Sequence, residues 1–251
     1  MKHTFMAIAL ATLTASTQAL AAAEPLKTQA PGFYRTMLGQ TEVTVLIDGT
    51  VDLPVDQLLQ QDPAKTIAAL QHMHQSAPLE TSVNAYLINT GKKLVLIDAG
   101  AGSLFGPTLG NVSKNLALAG YTPEQVDEIY ISHMHADHVG GLSKDGKTVY
   151  PNAIVRADAT EAAYWLSEAE MAKAPDDKKG FFKSAMASLK PYQTANRFKT
   201  FSGKTELVAG ITAQPTAGHT PGHISYMVQS GDQRLLVLGD IIHVAAVQFD
   251  R

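Results

Sequence analysis

Hydrophobic and polar positions follow two different periods along this chain. Residues 42–47 alternate and are rich in β-branched side chains, the two-residue period of a strand. Asp48-Gly49 interrupts that run and 51–53 resumes it, which predicts a hairpin. Residues 84–89 and 93–97 predict a second hairpin, turning around Gly91. Between the two, residues 56–71 carry Leu58, Leu59, Ile67 and Leu70 at helical spacing. Further on, short apolar strands at 128–132 and 153–156 alternate with helices predicted over 109–119, 159–170 and 181–189. Strands at 211–214, 224–229 and 235–238 close the pattern, and 174–180 reads as a charged surface loop. Strand runs followed by alternating strands and helices predict the α+β class, with sheets covered by helices.

Length and composition narrow this picture. With 251 residues and 45% hydrophobic content, the chain can build one full-sized domain around a real core. Charged residues make up 17%, and the net charge of -3 offers no basic footprint for nucleic acid. The absence of cysteine excludes disulfides, thiolate metal sites and a cysteine nucleophile. Any metal must be held by imidazole and carboxylate, a ligand set that leaves zinc, iron, manganese and cobalt open. At the start, Lys2, the apolar stretch 5–13 and the small-residue sites Ala19-Leu20-Ala21 and Ala21-Ala22-Ala23 read as an export signal. The expectation is a signal peptide over 1–23 and a mature domain over 24–251, beginning with a polar arm at 24–32. The apolar stretch is too short to span a membrane, so an exported soluble protein, periplasmic or secreted, is expected.

The candidate chemistry sits just after strand ends. His133-Met134-His135-Ala136-Asp137-His138 places four ligand-type side chains within six residues. Two positions apart on extended chain share a face, so His133 and His135 can grip one ion. If a helix follows, Asp137 and His138 point elsewhere and can serve a second. Gly218-His219-Thr220-Pro221-Gly222-His223 adds a histidine in a constrained turn, and Leu238-Gly239-Asp240 ends an apolar strand with a carboxylate. A buried carboxylate there is costly without a partner, and a metal pair is such a partner.

Together with Asp98 after a buried strand, these motifs resemble the metallo-β-lactamase superfamily. The stretches 30–35, 78–83, 104–110, 123–131, 173–177 and 245–250 resemble the methyl parathion hydrolase group within it. The resemblance implies an αββα sandwich with two divalent metal ions at one edge, zinc foremost. By that pattern His133, His135 and His219 hold one ion, Asp137 and His138 the other, and Asp240 bridges them. Asp98 would orient ligands from behind, although a turn-capping role suits it too. The implied catalyst is a metal-bridging hydroxide, with Asp240 and Asp137 the carboxylates that shape it. Phe105, Trp165 and Phe182 match positions that line the substrate pocket; the alternative for each is core packing.

The implied substrate is a small organophosphate triester with an aromatic leaving group. A lactonase or arylesterase on the same site is the rival enzyme reading, and a degenerate metal-binding protein the non-enzymatic one. The resemblance also implies a possible homodimer, and a further histidine beyond Arg251 to complete the second ion's shell. The domain is therefore expected to be incomplete at its C-terminus and that ion weakly held. His223 reads as structural, His243 as a residue able to approach the site, His72 and His74 as surface, and His3 as part of the signal.

Overall fold

Residues 94–97 are four consecutive apolar side chains, and all four are buried. A strand written this way has no solvent face and belongs at the centre of a covered sheet. In the computed structural model, which describes residues 23–26 and 30–249, this is where it lies. The signal-like segment falls almost wholly outside the described residues. The compact unit runs over Pro31–Arg251.

The larger sheet begins with antiparallel strands β1 (Phe33–Leu38), β2 (Thr41–Leu53), β3 (Leu79–Asn89) and β4 (Leu94–Ile97). It continues in parallel through β5 (Glu128–Tyr130). Strands β6 (Ser143–Lys144) and β7 (Lys147–Thr148) form a small separate pair. Parallel strands β8 (Ile154–Asp158) and β9 (Phe198–Phe201) complete the sheet in the order β1-β2-β3-β4-β5-β8-β9. The second sheet is an antiparallel meander of β10 (Thr205–Val208), β11 (Ile211–Pro215), β12 (Ile224–Ser230) and β13 (Gln233–Val237). Helices α1 (Val55–Leu58) and α2 (Pro63–His72) precede β3. Then come α3 (Val112–Leu118), α4 (Ala136–Val139), α5 (Ala159–Trp165), α6 (Glu168–Lys173), α7 (Lys179–Thr194) and α8 (Ala245–Gln248).

Strand alternation divides the core in two. Leu94 and Leu96 of β4, with Ala85 and Leu87 of β3, meet Leu116 of α3 and Ala185, Leu189 and Tyr192 of α7. Val95 and Ile97 face the other way and meet Ile211, Tyr226 and Val228 across the gap between the sheets. The two sheets therefore pack face to face, and helices cover the outside of the larger one. Three of the four expected layers are present among the described residues. No hydrophobic cluster among them joins a helix to the outer face of the smaller sheet.

Four local readings are corrected. Asp48-Gly49 is no hairpin turn: β2 runs through it as one strand, with a register shift against β3 between Ile47 and Gly49. The helix expected over 56–71 is two, because Asp62 caps a fresh start, accepting the Ala64 N–H at 2.9 Å, with Pro63 in the first turn. Residues 33–38 form a strand where only an arm ending at 32 was expected. Strands β9 and β10 also went unread.

Candidate metal centre

The site lies at the C-terminal ends of β4 and β5 in one sheet and of β11 and β13 in the other. Loops there are free to project side chains from a rigid base. β5 ends at Tyr130, and His135, still extended in its backbone, precedes α4, which carries Asp137 and His138. This change from strand to helix splits the four-ligand motif into two directions.

Three imidazoles converge. His133 Nε2 lies 3.0 Å from His135 Nδ1, and His219 Nε2 lies 3.2 Å and 3.1 Å from those two atoms. Burial first, and then the neighbouring His138, holds His133 well below its ordinary pKa. Burial and His219 depress His135 to about 4, and burial also lowers His219. All three rings are thus neutral near pH 7, with lone pairs facing one small volume. Three nitrogens so close, each shared with ring partners of the same kind, have the spacing of ligands about 2.1 Å from one ion.

The second group is carboxylate-rich. His138 Nε2 lies 3.5 Å from Asp137 Oδ2 and 3.3 Å from Asp240 Oδ1. The other Asp240 oxygen, Oδ2, lies 3.9 Å from His133 Nε2 and 3.6 Å from His219 Nε2. Asp240 therefore stands between the two groups, one oxygen toward each. Burial opposes ionisation of Asp240, but His138 beside it, with His243 and His133, holds its carboxyl far below the usual range. Burial opposes charge on His138 as well; the carboxylates of Asp240, Asp137 and Asp98 outweigh it and raise that imidazole well above its ordinary value. A cluster this rich in negative charge attracts cations.

Supporting groups fix the ring orientations. Asp98 is buried and accepts from the Ser132 N–H at 2.8 Å and the Ser132 hydroxyl at 2.7 Å. It also accepts from His138 Nδ1 at 2.9 Å. A carboxylate can only accept, so Nδ1 donates to Asp98, and the other ring nitrogen, Nε2, faces Asp137 and Asp240. Asp98 sits at φ 59°, an uncommon conformation for a non-glycine residue that the surrounding bonds hold in place. His223 is fully buried. Its Nδ1 meets Thr216 Oγ1 at 2.9 Å, and its Nε2 accepts the Asp240 backbone N–H at 3.0 Å. It bonds the histidine–carboxylate cluster through the Asp240 backbone.

His243 comes closer than the sequence indicated: its Nε2 lies 3.3 Å from Asp240 Oδ2. His219, Asp240 and His243 are near enough to one another to share an ion, as are His133, His138 and Asp240. His72 and His74 are exposed and belong to none of these groups.

The three aromatic positions separate. Phe105 lines a cavity of about 440 Å³ whose walls include Asp137, His138, Asp240 and His243. Trp165 is buried, with its ring 5.2 Å from that of His135, so it is both core and site wall. Phe182 is not at the site: it is 1% exposed and packs on Trp165 and Tyr164 within the core. The neighbouring Phe181 lies against His135 instead, at 5.1 Å between rings.

Comparison with known proteins agrees with this geometry. The family model of the metallo-beta-lactamase superfamily matches residues 79–250. The solved hydrolase AbOPH of the beta-lactamase superfamily is 40% identical, with a TM-score of 0.83, covering 89% of this chain and 79% of its own. AidC, a dizinc quorum-quenching lactonase solved with a homoserine product, is 26% identical with a TM-score of 0.79, covering 87% and 77%. A ribonuclease of Thermus thermophilus is 29% identical over 66% of this chain. The chain spans about a third to three-fifths of the length of the curated relatives it matches.

Proposed function

The chain belongs to the metallo-β-lactamase superfamily, and from that premise we propose that it is a metal-dependent hydrolase of small cyclic or aryl esters, a lactonase in its leading form. The observation that carries this is the placement of Asp240 between three converging neutral imidazoles and the Asp137–His138 pair. In this reading His133, His135 and His219 hold one divalent cation, Asp137 and His138 a second, and Asp240 faces both. The donor set of imidazole and carboxylate fits zinc among others. Such cations, when bound, lower the pKa of water and polarise a carbonyl or phosphoryl oxygen.

The protein's own residues supply orientation. Asp98 fixes the orientation of the His138 ring, and His223 anchors the Asp240 backbone. His243 Nε2 stands at the Asp240 oxygen nearest His219, on the wall of the cavity, where it can donate a hydrogen bond to that carboxylate. Trp165 and Phe181 offer apolar surface beside His135 and Phe105 offers it in the cavity, which suits an acyl chain or an aryl group. AidC, the lactonase relative, supports the lactone reading by likeness.

A second reading, hydrolysis of organophosphate triesters, is supported by the aromatic walls and by the likeness of six stretches to the methyl parathion hydrolase group. Steady-state kinetics on an N-acyl homoserine lactone, an aryl acetate and a paraoxon-type triester test both. The leading reading expects kcat/KM to be highest on the lactone. A triester preference overturns it in favour of the second, and no turnover of any ester overturns both.

A further inference from the structure

One buried carboxylate in this region has no part in the cluster just described. Glu161, in the first turn of α5, is 1% exposed. Its Oε1 accepts the Met134 N–H at 2.9 Å, and its Oε2 accepts the Gly222 N–H at 2.8 Å. Met134 lies between His133 and His135. Gly222 lies in the loop that carries His219. The two loops leave different sheets, so one side chain ties together the two halves of the three-histidine group. The buried hydroxyl of Thr220 and the buried indole N–H of Trp165, both near this carboxylate, are left without a hydrogen-bond partner among the described residues. Burial pushes the pKa of this carboxylate up, and the Met134 and Gly222 N–H groups, with Thr220 and Trp165 beside them, work against that rise.

The packing is tight on the same line. A Cβ on Gly222 would lie 2.3 Å from the Glu161 backbone nitrogen, so no larger residue fits there without moving the loop. A second tie, from the Ile224 N–H to the Ser132 carbonyl at 2.9 Å, joins the strands further back. Glu161 acts farther out, beside the ligands themselves. An ionised carboxylate is an acceptor at both oxygens, which is what two facing N–H groups require. Glutamine in its place turns one oxygen into a donor and sets it against a donor.

We infer that Glu161 is a positioning residue for the metal centre, clamping the His133–His135 loop to the His219 loop so that three imidazoles meet at one ion. This rests on reading the cluster as a metal site. Partners of metal ligands of this kind typically change affinity roughly tenfold to a hundredfold when removed.

The experiment compares wild type with Glu161→Gln and Gly222→Ala, and with Glu128→Gln as a control. Glu128 is a buried carboxylate on β5 that pairs with Arg156 Nε at 2.6 Å and bonds neither loop. Zinc affinity is measured by competition with a chromophoric chelator. The visible spectrum of the cobalt(II)-loaded protein reports ligand geometry. Amide exchange of the metal-free protein is followed over 133–138 and 216–223. Glu161→Gln is expected to weaken the tighter zinc by at least tenfold, to shift the cobalt(II) band, and to raise exchange in both segments together. Gly222→Ala is expected to move all three readouts the same way, while Glu128→Gln lowers thermal stability without moving them. Unchanged affinity and spectrum in a folded Glu161→Gln protein overturn the inference, as does an equal shift in the Glu128→Gln control. If wild type binds no ion, the metal reading fails, and the clamp is then decided by exchange: unlinked or unchanged segments overturn it.

Discussion

At the scale of single residues, chemistry here depends on which atom of a side chain is free. Asp98 accepts a hydrogen bond from His138 Nδ1 and so leaves Nε2 facing the other carboxylates. Asp98→Asn keeps the size and tolerates the left-handed backbone, but it removes the charge. Metal content after dialysis against buffered zinc is expected to fall from two ions toward one, the weaker site losing roughly tenfold to a hundredfold in affinity. Phe181→Ala is expected to raise KM for a long-chain or aryl substrate several-fold, with kcat little changed, because the ring offers only binding surface beside His135. Phe182→Ala instead opens a hole in the core, expected to cost about 3–5 kcal/mol in denaturant unfolding. The contrast shows what the sequence could not settle. Two adjacent phenylalanines on one helix point about 100° apart, and only the packing of α7 on α5 decides which one reaches His135. Glu161 was also invisible, since a lone glutamate opening a helix looks like any other first-turn acid.

At the scale of elements, the readable parts were those with unmixed signals. The apolar run of β4 and the histidine motif after β5 announced themselves by composition alone. Asp48-Gly49 misled because Asp and Gly suit turns, whereas Asp48 is fully buried. Its carboxylate accepts the Ala101 N–H at 2.8 Å and the Val112 N–H at 3.1 Å, joining the loop after β4 to the start of α3. Gly49 is required for a different reason: at φ 148° any Cβ would lie 1.9 Å from the Thr108 carbonyl oxygen. Asp48→Ala leaves two buried N–H groups unpaired and is expected to cost roughly 2–4 kcal/mol, read from the urea midpoint at constant slope. Strand β1 escaped notice because its middle positions are exposed: it is an edge strand with one partner, and no hydrophobic alternation marks it.

At the scale of the whole molecule, the site is a seam. Its histidines and carboxylates come from loops of both sheets, so an ion held there joins them. Removing cations with a chelator is therefore expected to lower the thermal midpoint, and zinc is expected to restore it. Free zinc at 100 times its dissociation constant adds about 2.7 kcal/mol to folding stability. A midpoint indifferent to chelation and to added zinc contradicts a site that bridges the sheets. Among the described residues no helix is long and apolar enough to cross a membrane. The central claim is that the ions and the hydrolysis belong to one centre. It is tested most directly by titrating zinc into metal-free protein while following N-acyl homoserine lactone opening by proton release. The account predicts no activity without metal and a rise that levels off at two ions per chain, absent in Asp240→Asn. Full turnover by metal-free protein, or none at two ions per chain, would contradict it.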